Sequence, residues 1–117
     1  MSDEVSWWVE LAVNAGQLEY FMALTEEMVA VTQGENGVLS YERFANEDGT
    51  VIHVHERYAS SAAALAHLHT FAVKFAARFS SMVTRKRFTV YGNVSEELRS
   101  VLNGFGASSY FQSFGDF

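Results

Sequence analysis

The order of elements read from this chain predicts an α+β fold of the ferredoxin-like type, βαββαβ, with an antiparallel sheet and helices on one face. Three observations carry that prediction. Two strand-like segments, VLSYERF and TVIHVHERY, flank an Asp48-Gly49 turn and so form a hairpin. The hairpin runs straight into an alanine-rich helix and is itself preceded by a strand and an amphipathic helix. The first strand is apolar on both faces, through Trp7, Trp8, Val9, Leu11, Ala12 and Val13. One face meets the helices, so the other asks for cover, and a second subunit is the expected cover.

Trp7 to Val13 is the first strand, and Asn14-Ala15-Gly16 turns the chain out of it. Leu18, Phe21, Met22, Met28 and Val29 recur at three- and four-residue spacing, with Glu19, Glu26 and Glu27 elsewhere around the cylinder, which predicts a helix to about Gln33. Gly34 and Gly37 end it, and Val38 to Phe44 is the second strand. The polar loop Ala45 to Gly49 returns the chain as the third, Thr50 to Tyr58. Ser60 or Ser61 caps the next helix, where Ala62 to Leu68 have high helix propensity. A second helical phase from Phe71 to Val83 puts Phe75, Phe79 and Met82 on one stripe, and the pattern leaves open whether Thr70 breaks the helix. Arg87 to Tyr91 reads as the fourth strand, and Ser95 caps a short helix to about Leu102. The tail GFGASSYFQSFGDF holds five aromatics and is too apolar to hang free. It is expected to dock as a short strand or arm, on its own core or on a second subunit. The whole is read as one domain over residues 1–117, with a core of about 6–92 and a C-terminal extension over 93–117.

Composition narrows the function classes. A net charge of -6, with no basic cluster beyond Arg85-Lys86-Arg87, argues against a nucleic-acid partner, which needs a broad basic face. The chain has no cysteine, so disulfide and thiolate chemistry are excluded, and the acidic start MSDEVSWW lacks the regions of a signal peptide. No apolar run approaches the ~20 residues that span a bilayer, and a cytoplasmic setting without membrane contact is expected. Ten Phe and two Trp are more apolar surface than one thin core easily hides, which argues for a partner surface or a ligand cavity.

Four histidines and one glutamate are the candidates for chemistry. His53 and His55 are two apart on a strand, so both project to one face about 6 to 7 Å apart, with Ile52, Val54, Glu56 and Tyr58 on the other. They hold a substrate anion, begin a metal site that lacks an evident third ligand, or are half-buried in a dimer interface. His67 and His69 lie about 200° apart around a helix, so only one can face a given pocket. Helical phase sets His69 beside Leu65, Leu68 and Ala72, and His67 beside Phe71 on the far side. Glu56 is the carboxylate expected to be buried, either as a base with a raised pKa or as half of a structural pair with an arginine. Tyr41, Tyr58, Trp7 and Trp8 line an aromatic pocket or are plain core and barrel contacts. Phosphate loops, nucleophile elbows and zinc signatures are missing, and Gly104-Phe105-Gly106 lacks the third glycine of a dinucleotide site.

From Gly16 to Tyr91, through GVLSYERF, the strand ending in HERY, and ALAHL, the chain resembles the antibiotic biosynthesis monooxygenase family of the dimeric α+β barrel superfamily. FTVYGNVSEELRSVLNGFG resembles a subgroup extension. The resemblance implies a homodimer formed by packing two sheets face to face into a barrel, and in some members oxygenation of phenols or quinols with no cofactor, neither metal nor flavin. It favours His67, at the ALAHL-like segment, against the helical phase. The family often has Trp where this chain has Tyr58, and haem-degrading relatives have Asn where it has Val9, so haem degradation is not implied.

The expectation is a cofactor-independent monooxygenase acting on an aromatic or polyphenolic small molecule. Its expected catalytic residues are His67, His53 and Glu56, and its substrate contacts Tyr41, Tyr58, His55, His69, Trp8 and Phe71. The alternatives are a non-catalytic binding or stress-associated barrel, and an isomerase or lyase on the same scaffold. The oxygenase expectation includes a closed pocket of at least ~300 Å³ in which a histidine meets a tyrosine or Glu56.

Overall fold

A computed structural model describes residues 3–117, and Met1 and Ser2 of the acidic start lie outside the described residues. The elements are β1 (Val5–Val13), α1 (Leu18–Gln33), β2 (Val38–Ala45), β3 (Val51–Tyr58), α2 (Ser61–Lys74), α3 (Ala76–Met82), β4 (Val83–Gly92), α4 (Glu96–Gly104) and β5 (Ser109–Phe111). They form the α+β ferredoxin-like fold. One sheet runs in the order β2-β3-β1-β4-β5, with β1 between β3 and β4. Its first four strands pair antiparallel, and β5 joins β4 in parallel, so the sheet is mixed rather than wholly antiparallel. The short β5 is the docked form of the aromatic tail. Beyond it, Phe114 and Phe117 are fully exposed.

Strand alternation decides what each face carries. Val5, Trp7, Val9 and Leu11 of β1 and Ile52, Val54, Glu56 and Tyr58 of β3 are buried beneath the helices, in one core with Phe21, Leu24 and Met28 of α1. Trp8 and Phe44, on the opposite face, are 53% and 49% exposed.

Two further features settle or extend the sequence expectation. The long helical stretch does not break at Thr70, whose hydroxyl simply donates to the Ala66 carbonyl within α2. It breaks at Phe75, which leaves helical geometry at φ -127 so that its ring is buried while its N–H still donates to the Phe71 carbonyl. The fourth strand is also longer than Arg87 to Tyr91. It begins at Val83, and a register shift opposite Glu10 and Leu11 turns Arg85 toward the helix-covered side.

The placement of α2 depends on Gly37. At φ +82 it occupies the left-handed region, and a Cβ there would stand 2.6 Å from the Cβ of Ala63. Its carbonyl accepts from the Ala59 N–H, and Ser60 caps α2 by accepting from the Ala63 N–H, so β2, β3 and the start of α2 are tied at one point. That knot fixes where His67 enters the core.

Candidate active site beneath the helices

The buried stripe of α2 runs through Ala64, His67, Leu68 and Phe71. His67 is 5% exposed, whereas His69 faces solvent. The helical phase that set His69 toward the core is therefore corrected. Leu65 is only partly buried, and the stripe is decided by the small Ala64 and the large Phe71, which pack against the sheet and α3.

Strand β3 brings Glu56 and Tyr58 to the same place, and β2 brings Tyr41, which is in register with Glu56. The imidazole of His67 lies between two carboxylates, with Nδ1 2.7 Å from Glu35 Oε1 and Nε2 3.4 Å from Glu56 Oε1. The Tyr58 hydroxyl donates to the same Glu56 oxygen at 2.5 Å. Tyr41 and Tyr58 rings stand 5.3 and 5.2 Å from the imidazole, and Trp7 stacks on Tyr58 at 4.8 Å. Two acidic side chains, one imidazole and the Tyr58 phenol thus share a single hydrogen-bonded cluster, with the Tyr41 ring edge-on to the imidazole.

The electrostatics set its resting state. Burial pushes the Glu56 carboxyl up, but His67, Arg43 and the Tyr58 hydroxyl together outweigh it, and the carboxyl is held below the usual range. Burial likewise pulls His67 down, and the flanking Glu56 and Glu35 more than reverse it, so the imidazolium is favoured. Glu56 therefore rests ionised, and not as the raised-pKa base that burial alone suggested. Its partner is a histidine rather than the arginine of the other expectation. Burial and the nearby Glu56 charge push Tyr41 up to about 12 and Tyr58 well above its ordinary value, so both phenols stay protonated; Tyr58 donates to Glu56, whereas the Tyr41 oxygen accepts from Arg43.

Tyr41, Glu56 and His67 line a cavity between sheet and helices, with Tyr58 and Glu35 behind them, and this cavity is much smaller than the sequence expectation. Its open space is about 40 Å³, because Met28, Phe71, Phe79, Phe88 and Phe105 fill the remainder. That volume takes a functional group or a water or two, and not a ring. Two arginines also face it, Arg43 from β2 and Arg85 from the irregular part of β4.

The other expected residues are elsewhere. His53, His55 and Trp8 occupy the opposite face of the sheet, separated from the cavity by the strands themselves. There His53 pairs with Glu10 at 3.1 Å, and His55 stacks on Trp8 at 4.1 Å with Phe44 5.0 Å away. Among the described residues no group of three or more His, Asp or Glu side chains is arranged to hold a metal ion.

Sequence reasoning missed Glu35, Arg43 and Arg85. Arg43 was findable, since it follows Tyr41 by two on a strand whose register sets Tyr41 against Glu56. Glu35 lies in a loop, where no periodicity marks it, and Arg85 faces inward only because of the register shift.

Comparison with solved structures gives the fold independent support. MupZ from Pseudomonas fluorescens is 24% identical, with a TM-score of 0.87 over 100% of this chain and 90% of its own, and so shares α4 and β5 as well. Rv0793 from Mycobacterium tuberculosis is 24% identical, covering 80% of this chain and 97% of its own, at a TM-score of 0.68. SnoaB, a cofactor-independent oxygenase from Streptomyces nogalater, is 14% identical, covering 80% of this chain and 96% of its own, also at 0.68. At these identities the likeness shows the fold alone. No curated protein matches. The family model described as antibiotic biosynthesis monooxygenase matches residues 7–78, more than half the chain and the part that carries Glu35, Tyr41, Glu56, Tyr58 and His67. This chain belongs to the antibiotic biosynthesis monooxygenase family.

Proposed function

We propose that this protein is a cofactor-independent monooxygenase, acting on an acidic aromatic or polyphenolic small molecule in the helix-covered cavity. The observation that carries the reading is the Glu56–His67–Glu35 array, with Tyr58 on Glu56, set against that cavity. Ionised Glu56 takes the proton from the substrate hydroxyl or activated C–H, and His67 and Tyr58 hold the carboxylate in place. The electron-rich anion adds dioxygen at carbon to give a hydroperoxide. Glu56 returns its proton to the peroxide oxygen and then takes the remaining hydrogen of that carbon as a proton. The O–O bond breaks while His67 protonates the departing hydroxide, leaving a carbonyl and one water, and the proton on Glu56 passes to His67. One oxygen atom enters product and the other leaves as water, so no external reductant is needed.

Ring entry requires the cavity to enlarge. Phe105 is the side chain suited to yield, because it is only partly buried and stands between Gly104 and Gly106, the latter at φ +99. The assembly in this reading is a homodimer through the open face of the sheet. Phe44, His55, Trp8, Tyr91 and Phe111, one from each strand, form an unbroken row of ring contacts across it, which is apolar surface suited to a second sheet.

Oxygen uptake by metal-stripped protein against quinols, anthrones and flavonols tests the reading. Uptake that survives metal removal and falls at least ~100-fold in His67→Ala supports it. A second reading, a non-oxidative isomerase or lyase, is favoured by one feature: the imidazolium and both neutral phenols are proton donors. Substrate consumption without oxygen uptake, lost in Tyr41→Phe, would select it.

A further inference from the structure

We infer that Arg43 is the anion-recognition residue of the cavity, its guanidinium receiving the acidic oxygen, phenolate or enolate, of the substrate. This deepens the function proposed above and rests on it for the view that the cavity takes a substrate. Arg43 lies on β2 in register with Val54, two residues from Tyr41, and faces the cavity shared by Glu56 and His67. Its Nη2 donates to the Tyr41 hydroxyl at 2.7 Å, and its guanidinium carbon stands 3.9 Å from the centre of the Tyr41 ring. One edge of the group is thereby fixed. Its Nε and Nη1 atoms are buried and have no hydrogen-bond partner among the described residues.

A guanidinium cannot shed its charge, so unpartnered buried N–H groups are costly and call for an explanation. A purely structural arginine would spend them. Arg57 does so on the other face of the sheet, where Nε and Nη2 both donate to Glu4 at 2.9 and 3.0 Å. Arg43 has no carboxylate within ion-pair distance among the described residues, although Glu56 feels its field. The open space of about 40 Å³ suits an oxygen-bearing substituent at this point.

The charges balance when the substrate ionises in place. The substrate O–H passes its proton to the Glu56 carboxylate, which becomes the acid, and the negative charge appears on the substrate oxygen beside Arg43. Net charge in the cavity is unchanged. Tyr41, held by Arg43 at its oxygen, still has its own O–H to donate. The ligand class is therefore an acidic phenol or enol.

The test is equilibrium binding of para-nitrophenol, whose visible absorbance reports ionisation, with nitrobenzene as the neutral analogue. Wild-type protein should bind the phenol as its anion, with its pKa lowered by about one unit or more. Arg43→Gln should lose that shift and at least ~10-fold in affinity for the phenol, while nitrobenzene binding stays within ~2-fold. Arg43→Lys, which keeps the charge and most of the stem, should retain part of the pKa shift even if Gln is poorly folded. An unshifted phenol in wild type, no phenol binding by wild type at millimolar concentration, or equal losses for phenol and nitrobenzene would each overturn the inference. Because binding is read without turnover, the two readings can fail separately. Oxygen uptake with unchanged phenol affinity in Arg43→Gln removes the role of Arg43 alone. Arg43-dependent phenolate binding without uptake removes the oxygenase alone.

Discussion

The two faces of the sheet carry similar residue types and opposite physics. On β3, His53, His55 and Arg57 point one way and Ile52, Val54, Glu56 and Tyr58 the other, in strict alternation. Beneath the helices, Glu56, Tyr58 and His67 are buried, hydrogen-bonded to one another and shifted in pKa. On the open face, His53 and Glu10 pair with side chains 53% and 40% exposed, and Arg57 and Glu4 do likewise. A charge pair in water gains little, whereas a buried one that loses a partner leaves a charge stranded. A histidine beside a glutamate is therefore chemically meaningful on one face and close to neutral on the other.

The sharpest way to break this comparison is to remove a histidine from each face. His67→Ala should lower oxygen uptake by at least ~100-fold, and should destabilise the fold by about 3 to 5 kcal/mol because Glu56 is left buried and unpaired. His53→Ala should leave uptake within ~2-fold and stability within about 1 kcal/mol. Oxygen-electrode assays and urea melts read both, and equal losses in the two variants would erase the distinction between the faces.

The open face is then tested in its own terms. Trp8→Asp puts a charge in the middle of the aromatic row, and sedimentation at micromolar concentration should report a 13.1 kDa monomer for the variant and, under the proposed assembly, a dimer for the wild-type protein. A wild-type monomer would refute the dimer directly.

A smaller effect is expected within the cluster. Tyr58→Phe removes one donor to Glu56 and should cost about 1 to 3 kcal/mol of stability, with a roughly tenfold loss of activity. An unaltered rate would confine Tyr58 to a structural role.

The smallest signal is in pH. His67 is raised above its ordinary 6.5, so the stability it contributes is full below that value and is lost as pH rises through its folded-state value. Glu56 is lowered from 4.5, so its contribution is present above that value and is lost as pH falls through the folded-state value. Urea melts should therefore show stability declining on the alkaline side in the wild-type protein and flattening there in His67→Gln. A histidine NMR titration would place the alkaline limb, and a slope unchanged in the variant would assign it to another group.

Much of the fold was legible because it rests on local periodicity. The alternation in β3 correctly divided Glu56 and Tyr58 from His53 and His55, and Asp48-Gly49 correctly placed the hairpin, where Asp48 accepts from the Thr50 N–H and hydroxyl. The candidate site was legible only in part. Choosing between His67 and His69 required knowing which residues of α2 meet the sheet, and Leu65 and Ala72 pointed away from the stripe in which Leu68 and His67 lie. The cavity volume was illegible, since it depends on how five large side chains interlock from α1, α2, α3, β4 and the residue after α4.

By itself, then, the sequence determined the order of elements, the face each residue of β3 takes, the two-sided apolar first strand and the family to which the chain belongs. The first three follow from spacing along the chain, which a periodic backbone converts directly into direction, and the family follows from the resemblance carried by GVLSYERF, HERY and ALAHL. Only the tertiary structure decided that His67 sits between Glu35 and Glu56, that Arg85 turns inward, that Arg43 keeps unpaired N–H groups, and that the cavity is nearly filled. Each of these joins residues far apart in sequence, and their distances and solvent exclusion exist only once the helices are seated on the sheet.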